Sequence, residues 1–284
     1  MPGLRIYNNI YSLNSQRQLG LNTTSLGDSL SKLSSGLRVN SAKDDAAAMA
    51  VSTNLRADIA SMEQAIRNTN DSVSLLAVTE GALSETSLML VRMRELSMEA
   101  ATTLLTSGQR SSVNNEYSNL MSEITRMSLT TEFNGQLLLN GSLSSAAATT
   151  LNVQVGIDNS SSSRINLNSS VDLTNMDVTS LGLDVTSITT ADSAQSAITI
   201  IDAAINTVSV GRGNIGAVQN RLERTITNLE IAVENTSAAD SRLRDADMAK
   251  EISIFTRNQI LVQSSTAMLS QANLIPQSVL QLLQ

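Results

Sequence analysis

The stretch AQSAITIIDAAINTVSVGRGNIGAVQNRLERTITNLEIAV, residues 194–233, decides the fold. Steps of four and three pick out Ala194, Ile198, Ile201, Ile205, Val208, Arg212, Ile215, Gln219, Leu222, Ile226, Leu229 and Val233, and ten of these twelve are apolar. A stripe repeating every 3.5 residues stays on one side of a helix and is buried only by a partner helix. The segment is therefore predicted to be half of a coiled coil. A matching half lies upstream, where Leu55, Ile59, Met62, Ile66, Thr69, Val73 and Leu76 keep the spacing and Leu83 and Leu90 extend it. That helix is expected over residues 44–104, with Ser41-x-x-Asp44 supplying side chains for the free N–H groups of its first turn.

Composition permits helices of this length. Proline occurs only at positions 2 and 276, so nothing between them forces a helix to stop. Hydrophobic residues make up 41% of the 284 positions but aromatics only 2%, with Phe133, Phe255, Tyr7, Tyr11, Tyr117 and no tryptophan. A thick globular core would lack its usual large fillers, whereas helix-on-helix packing needs only aliphatic residues. The net charge of −7 and the scattered Lys32, Lys43 and Lys250 argue against nucleic acid, which needs a basic stripe. With neither cysteine nor histidine, the chain lacks thiolates, disulfides and the commonest general base and metal ligand. No cofactor, metal or catalytic activity is expected. The N-terminus shows no apolar run like a secretory signal, and no segment approaches the roughly 20 apolar residues of a membrane span. Membrane insertion is not expected, and export would need another route.

Both ends carry further helical patterns: Leu26, Leu30, Leu33 and Leu37 near the start, and Leu261, Met268, Ile275, Val279 and Leu282 near the finish. After Arg257 the last 27 positions hold no charge. A solvated helix normally carries charges, so these nine residues are candidate contacts to other copies, and alone the terminal helix should fray. In the middle, from Phe133 to Thr190, the helical period is lost. Asn134-Gly135 and Asn140-Gly141 are turn signals, 151–157 alternates as a strand does, and Ser160, Ser161, Ser162 and Ser163 read as a loop. The expected fold is mainly α: long antiparallel helices forming a coiled-coil rod, with a small β-hairpin region.

Other motifs are weaker than their spelling. Gly211-Arg-Gly-Asn-Ile-Gly216 matches a dinucleotide fingerprint but interrupts a heptad run instead of following a strand, and local softness of the helix is the better reading. Ser29-x-x-Lys32 has the spacing of a serine nucleophile motif without its partners, and Asp28 with Lys32 reads as a helix-face pair. Asp245, Asp247 and Glu251 lack the spacing of a calcium loop and read as a charged helix start.

Leu33-Ser-Ser-Gly-Leu-Arg-Val-Asn-Ser-Ala-Lys-Asp-Asp-Ala-Ala47 resembles the N-terminal signature of bacterial flagellins. Gly216-Ala-Val-Gln-Asn-Arg221, Ile226-Thr-Asn-Leu229, Asp245-Ala-Asp247 and Gln271-Ala-Asn-x-x-Pro-Gln277 resemble the family's C-terminal region in the same order. The resemblance covers residues 1–140 and 190–284. It implies an extracellular structural subunit that polymerises into the flagellar filament for motility, not an enzyme. Residues 1–42 with 243–284 would pair as an inner coiled coil in the polymer, 43–141 with 191–242 would form a helical rod domain, and 142–190 would be a short hairpin and loop segment outside it. The implied partners are further copies, the flagellar cap and hook-filament junction proteins, and an export chaperone delivering the chain to the flagellar type III channel. Arg92, Arg94, Glu95, Leu96 and Glu116 match a surface that Toll-like receptor 5 recognises on many flagellins, which makes them receptor candidates. Ser160 to Ser163, on the expected outer loop, are glycosylation candidates, and Thr186 to Thr190 belong to the same Ser/Thr-rich surface. The nearest alternative is a hook-filament junction protein, which matches the terminal signatures more loosely.

Overall fold

The computed structural model describes the backbone of residues 8–282 and the side chains of residues 8–275. The chain is mainly α. In order it forms α1 (Ile10–Ser35), α2 (Ala46–Ala100), α3 (Ser107–Thr130), β1 (Glu132–Phe133), β2 (Gln136–Leu137), β3 (Asn152–Gln154), β4 (Arg164–Asn166), α4 (Leu167–Val171), α5 (Ala191–Arg244) and α6 (Met248–Leu282). β1 pairs antiparallel with β2, and β3 with β4. The chain divides into two compact units, Met1–Ala57 with Asn235–Gln284 and Asp58–Glu234. These boundaries differ from the expected 42/43 and 242/243. They fall inside α2 and α5, because a helix several turns long can contribute to both units without breaking.

Long helices need deliberate starts, and each has one. Asn9 accepts from Ser12 N, Thr106 and Gln109 form a reciprocal capping box, Thr190 accepts from Ser193 N, and Asp247 accepts from Lys250 N. α2 starts two residues later than expected and ends four earlier. Asp45 takes Ala48 N at 2.9 Å, while Asp44 turns back to receive Asn40 N and Ser41 N. Those bonds, that from Ser41 first, hold the Asp44 carboxyl below its ordinary pKa.

Within unit 58–234, the ion pairs Arg94–Asp202 (2.6 Å) and Arg212–Glu80 (2.8 Å) match rising positions on α2 to falling positions on α5, so the two helices run antiparallel. The heptads exist, but half of each is shifted. On α5 the buried positions within unit 58–234 are Ala194, Ala197, Ile201, Ala204, Val208, Gly211, Ile215, Val218 and Leu222. Ile198, Ile205, Arg212 and Gln219 stand one residue off that seam. On α2, Met62, Leu76, Leu83 and Leu90 alternate with Ala65, Ser72, Thr79, Thr86 and Met93, whereas Ile66 and Val73 sit beside the seam. The sequence reading weighted large residues, but the seam uses small ones so that neighbouring chain can come close. Their hydroxyls are satisfied internally: Thr69, Ser72, Thr79, Thr86 and Ser97 each donate to the carbonyl four residues back, at 2.7–2.9 Å.

By length and apolarity alone α2 contains a window that could cross a membrane, which corrects the expectation that none comes near. The leucines of that helix at 76, 83 and 90 are fully buried in the core of unit 58–234.

Gly211 has a packing role, not the softening role expected of it. A Cβ there would lie 2.7 Å from Leu173 Cδ1, whereas Gly213 and Gly216 have open space. Gly213→Ala should therefore stabilise unit 58–234 by about 1 kcal/mol through helix propensity. Gly211→Ala should lose that gain to overpacking and destabilise by about 1 kcal/mol net. Urea unfolding followed by circular dichroism would show the opposite signs.

Residues 142–190 hold a small hairpin, β3–β4, as expected, but much of the segment is packed into the core. Leu143, Val153, Val155, Ile165, Leu167, Val171, Leu173, Met176, Val178, Leu181, Leu183 and Ile188 are all buried in the same core as α2 and α5. One hairpin, β1–β2, lies before this segment. The expected strand 151–157 is cut to Asn152–Gln154, where Val155 N and Gly156 N both turn to Ser163 O. Thr186 is buried as well, bonded to the fully buried Tyr117 hydroxyl at 2.6 Å, whereas Ser187, Thr189 and Thr190 are exposed as expected. Burial pushes the Tyr117 pKa up.

Candidate functional site

The face that sets this chain apart is built from α1 and α6. Asn9 caps α1 and Gly36, at φ 71°, ends it. The chain returns through an antiparallel bridge between Leu37 and Asp245, with Arg38 N and Val39 N both donating to Arg244 O. α6 then starts on Asp247 and lies antiparallel along α1.

A coiled coil normally buries its apolar stripe in the seam. This pair mixes polar and apolar side chains there. The α1 positions turned toward α6 are Ser12, Ser15, Leu19, Asn22, Leu26 and Ser29, and those of α6 include Asn258, Val262, Ser265, Leu269 and Ala272. Amides and hydroxyls bond across the seam. Asn9 donates to Ala272 O (2.8 Å), Ser12 to Asn273 Oδ1 (2.6 Å), Asn22 to Ser265 Oγ (2.7 Å) and Asn258 to Ser29 Oγ (3.0 Å). Meanwhile Ile10, Tyr11, Leu13, Leu21 and Leu30 of α1 and Met248, Ile252, Ile260, Leu261, Met268 and Leu274 of α6 are 42–64% exposed. Eleven large apolar side chains on two adjacent helices exceed the scattered singles of an ordinary surface.

Of the nine contact residues read from the sequence, Leu30, Leu261 and Met268 belong to this exposed set. Leu26, Leu33, Leu37 and Ile275 are half-buried, and Val279 and Leu282 lie outside the residues whose side chains are described. The reading missed Ile10, Leu13, Leu21, Ile252, Ile260 and Leu274. It also missed the mixed seam, whose signal was a three–four spacing of Ser, Asn and Leu from 12 to 29.

The seam makes a prediction of its own. Asn22→Leu with Ser265→Leu should tighten α1 against α6 by roughly 2–4 kcal/mol, since two leucines would then be buried between the helices. The check is far-UV circular dichroism of the unassembled chain during heating, with α1–α6 helicity persisting to higher temperature.

A second surface lies on unit 58–234. Arg92 Nε donates to Glu116 Oε1 and Nη1 to Glu95 Oε2, at 2.9 and 3.0 Å, joining α2 to α3. These carboxylates, Glu95 first, raise the Arg92 pKa further. Arg94 reaches α5 through Asp202, and all these side chains are about half exposed. Leu96, one turn along α2 from Arg92, does not share their exposure: it is 1% exposed, packed into the core of the unit. Ser160, Ser161 and Ser162 are exposed, with residues 161–163 forming one tight turn, whereas Ser163 turns in against Gly156.

The decoy motifs resolve locally. Ser29 is buried and accepts from Asn258, while Asp245 accepts from Ser241 Oγ and Asp247 caps α6. Among the described residues no group of three acidic side chains is placed to hold a metal ion.

The family model described as the bacterial flagellin N-terminal helical region matches residues 6–144, and that for the C-terminal helical region matches residues 198–283. The flagellin of Halalkalibacterium halodurans is 45% identical over 280 residues, covering 98% of this chain and 99% of its own. The flagellar filament 30.7 kDa core protein of Treponema maltophilum is 39% identical over 286 residues, covering 98% and 99%. A solved structure of a hook-associated protein from Vibrio parahaemolyticus shares the fold at a TM-score of 0.57 and 17% identity, covering 71% of this chain and all of that one. Matched at both helical ends in the same order, the chain belongs to the bacterial flagellin family, which is structural and not enzymatic.

Proposed function

We propose that the chain polymerises through its α1–α6 pair into the flagellar filament, as an extracellular structural subunit serving motility. The observation that carries this reading is the exposed apolar face of the pair: Ser and Asn share the seam with aliphatic residues while eleven large apolar side chains face outward. Burying the exposed half of each contributes about 1 kcal/mol, so covering the set yields on the order of 10 kcal/mol per chain. That is comparable to the roughly 4–15 kcal/mol that association costs in lost freedom. Each copy would present one face to another copy's different face, a head-to-tail contact that does not close and so gives an open helical polymer.

In this reading residues 1–42 with 243–284 pair as the coiled coil of the polymer, and residues 43–141 with 191–242 form the helical rod domain. The chain would travel through the flagellar type III channel with an export chaperone, add beneath the cap protein, and meet the hook through junction proteins. Arg92, Arg94, Glu95 and Glu116 would be the Toll-like receptor 5 surface of the unassembled subunit. Arg92→Ala should weaken receptor signalling by the monomer, and unchanged signalling would remove that role. Ser160 to Ser162 would be glycan acceptors, which the intact mass of native filaments tests.

The test of polymerisation is sedimentation after seeding. Purified monomer mixed with short fragments of its own filaments should move into the pellet as long filaments. A chain that stays in the supernatant overturns the reading.

A further inference from the structure

The two Asn-Gly pairs, 134–135 and 140–141, serve the fold as turns and have no part in the proposed function. Asn-Gly also has a chemical liability. Glycine has no Cβ to hinder its backbone nitrogen from swinging toward the preceding side-chain carbonyl carbon. The structure treats the two pairs differently.

Asn134 and Gly135 form the two-residue loop between β1 and β2, both exposed, with φ of 52° and 78°. No hydrogen bond holds the Asn134 side chain. The strands it joins are two residues each, and so short a ladder opens locally at small cost. The second pair is fixed from several sides. Asn140 Oδ1 accepts from Ser142 N at 3.1 Å, and Gly141 backs onto Asn175 N, 3.4 Å from where a Cβ would stand. Ser142 O accepts from the buried Asn168 amide, and Leu138, Leu139 and Leu143 around the turn are almost fully buried.

We propose that Asn134 is a site of spontaneous deamidation in the folded chain, and that Asn140 is protected by its turn. The Gly135 backbone nitrogen attacks Asn134 Cγ. The new N–C bond forms as the side-chain amide leaves as ammonia, with the peptide proton lost to solvent, giving a cyclic imide. Water then opens the ring at either carbonyl, producing aspartate or isoaspartate. Both products add a carboxylate two residues from Glu132, and isoaspartate also adds a backbone methylene to a turn built for two residues. The change is irreversible, so its extent records time since folding.

The experiment incubates the folded chain at mildly alkaline pH and 37 °C, with a urea-unfolded sample alongside. Trypsin releases residues 127–164 as one peptide holding both pairs, and fragmentation reads the amide-to-acid mass gain at each asparagine. The unfolded chain should convert at both positions. The folded chain should convert many-fold faster at Asn134 than at Asn140, and Asn134→Gln should abolish the early gain. Equal rates at the two positions in the folded chain, or Asn140 converting first, would overturn the proposal. So would an unreacted Asn134 in folded protein whose unfolded control reacts.

Discussion

Replacing Leu30 and Leu261 together by Glu is expected to abolish seeded polymerisation while leaving residues 58–234 folded. Both side chains are already largely in water, 56% and 42% exposed, so the charges cost the separate chain little, within about 0.5 kcal/mol for surface substitutions. In a polymer the same positions would lie against another copy's apolar face. Two unpaired carboxylates buried there would each cost several kcal/mol, more than such a contact can lose. Sedimentation with seeds reads the assembly, and the urea midpoint reads the fold. Pellet formation as in the parent chain would show that this face is not the contact.

The second large effect belongs to Asn168. It is 2% exposed, its Nδ2 lies 2.7–3.2 Å from the carbonyls of Ser142, Ser144 and Thr149, and its Oδ1 accepts from Leu151 N at 2.6 Å. One side chain thus ties the start of β3 to the loop following the buried Leu143. Asn168→Ala strands a buried N–H and several carbonyls, and about 3 kcal/mol of stability should be lost. For a unit of this size the corresponding fall in Tm is roughly 6–12 °C. Asn168→Asp should be worse still, because it sets a carboxylate oxygen against carbonyls that need a donor. Calorimetric or dichroic melting would rank the three chains.

How far the fold is legible in the sequence depends on which physical rule decides each part. The 3.5-residue period of α2 and α5 is local and survives in any window, so both helices and their pairing could be read. Their exact seam could not be, because Ile198 and Ile205 outweigh Ala197 and Ala204 on any hydrophobicity count. The seam chooses small residues for close approach, which only the neighbouring chain dictates. The burial of residues 142–190 was hidden for a related reason. Leu143, Val153, Ile165, Leu173 and Ile188 share a core but no spacing, since tertiary contacts and not a helical period place them. The α1–α6 face was half legible. The charge-free end after Arg257 pointed to burial by other copies, but Ser29, Asn22, Asn258 and Ser265 look like an outer surface by composition and form the inner seam instead. Leu96 is buried while Arg92, one turn away, is half exposed, and a sequence match does not say how deep a side chain lies.

Backbone hydrogen exchange, followed by mass spectrometry on the unassembled chain and on its filaments, tests most directly whether the α1–α6 face is closed by other copies. A two-helix pair whose seam is half Ser and Asn, with few large apolar side chains buried in it, has little to hold it alone, so amides of residues 10–35 and 248–275 should exchange quickly in the unassembled chain. In filaments they should become strongly protected, while the amides of α2 between residues 76 and 97, already packed in unit 58–234, should change little. Equal protection of α1 and α6 in both states would contradict assembly through this face.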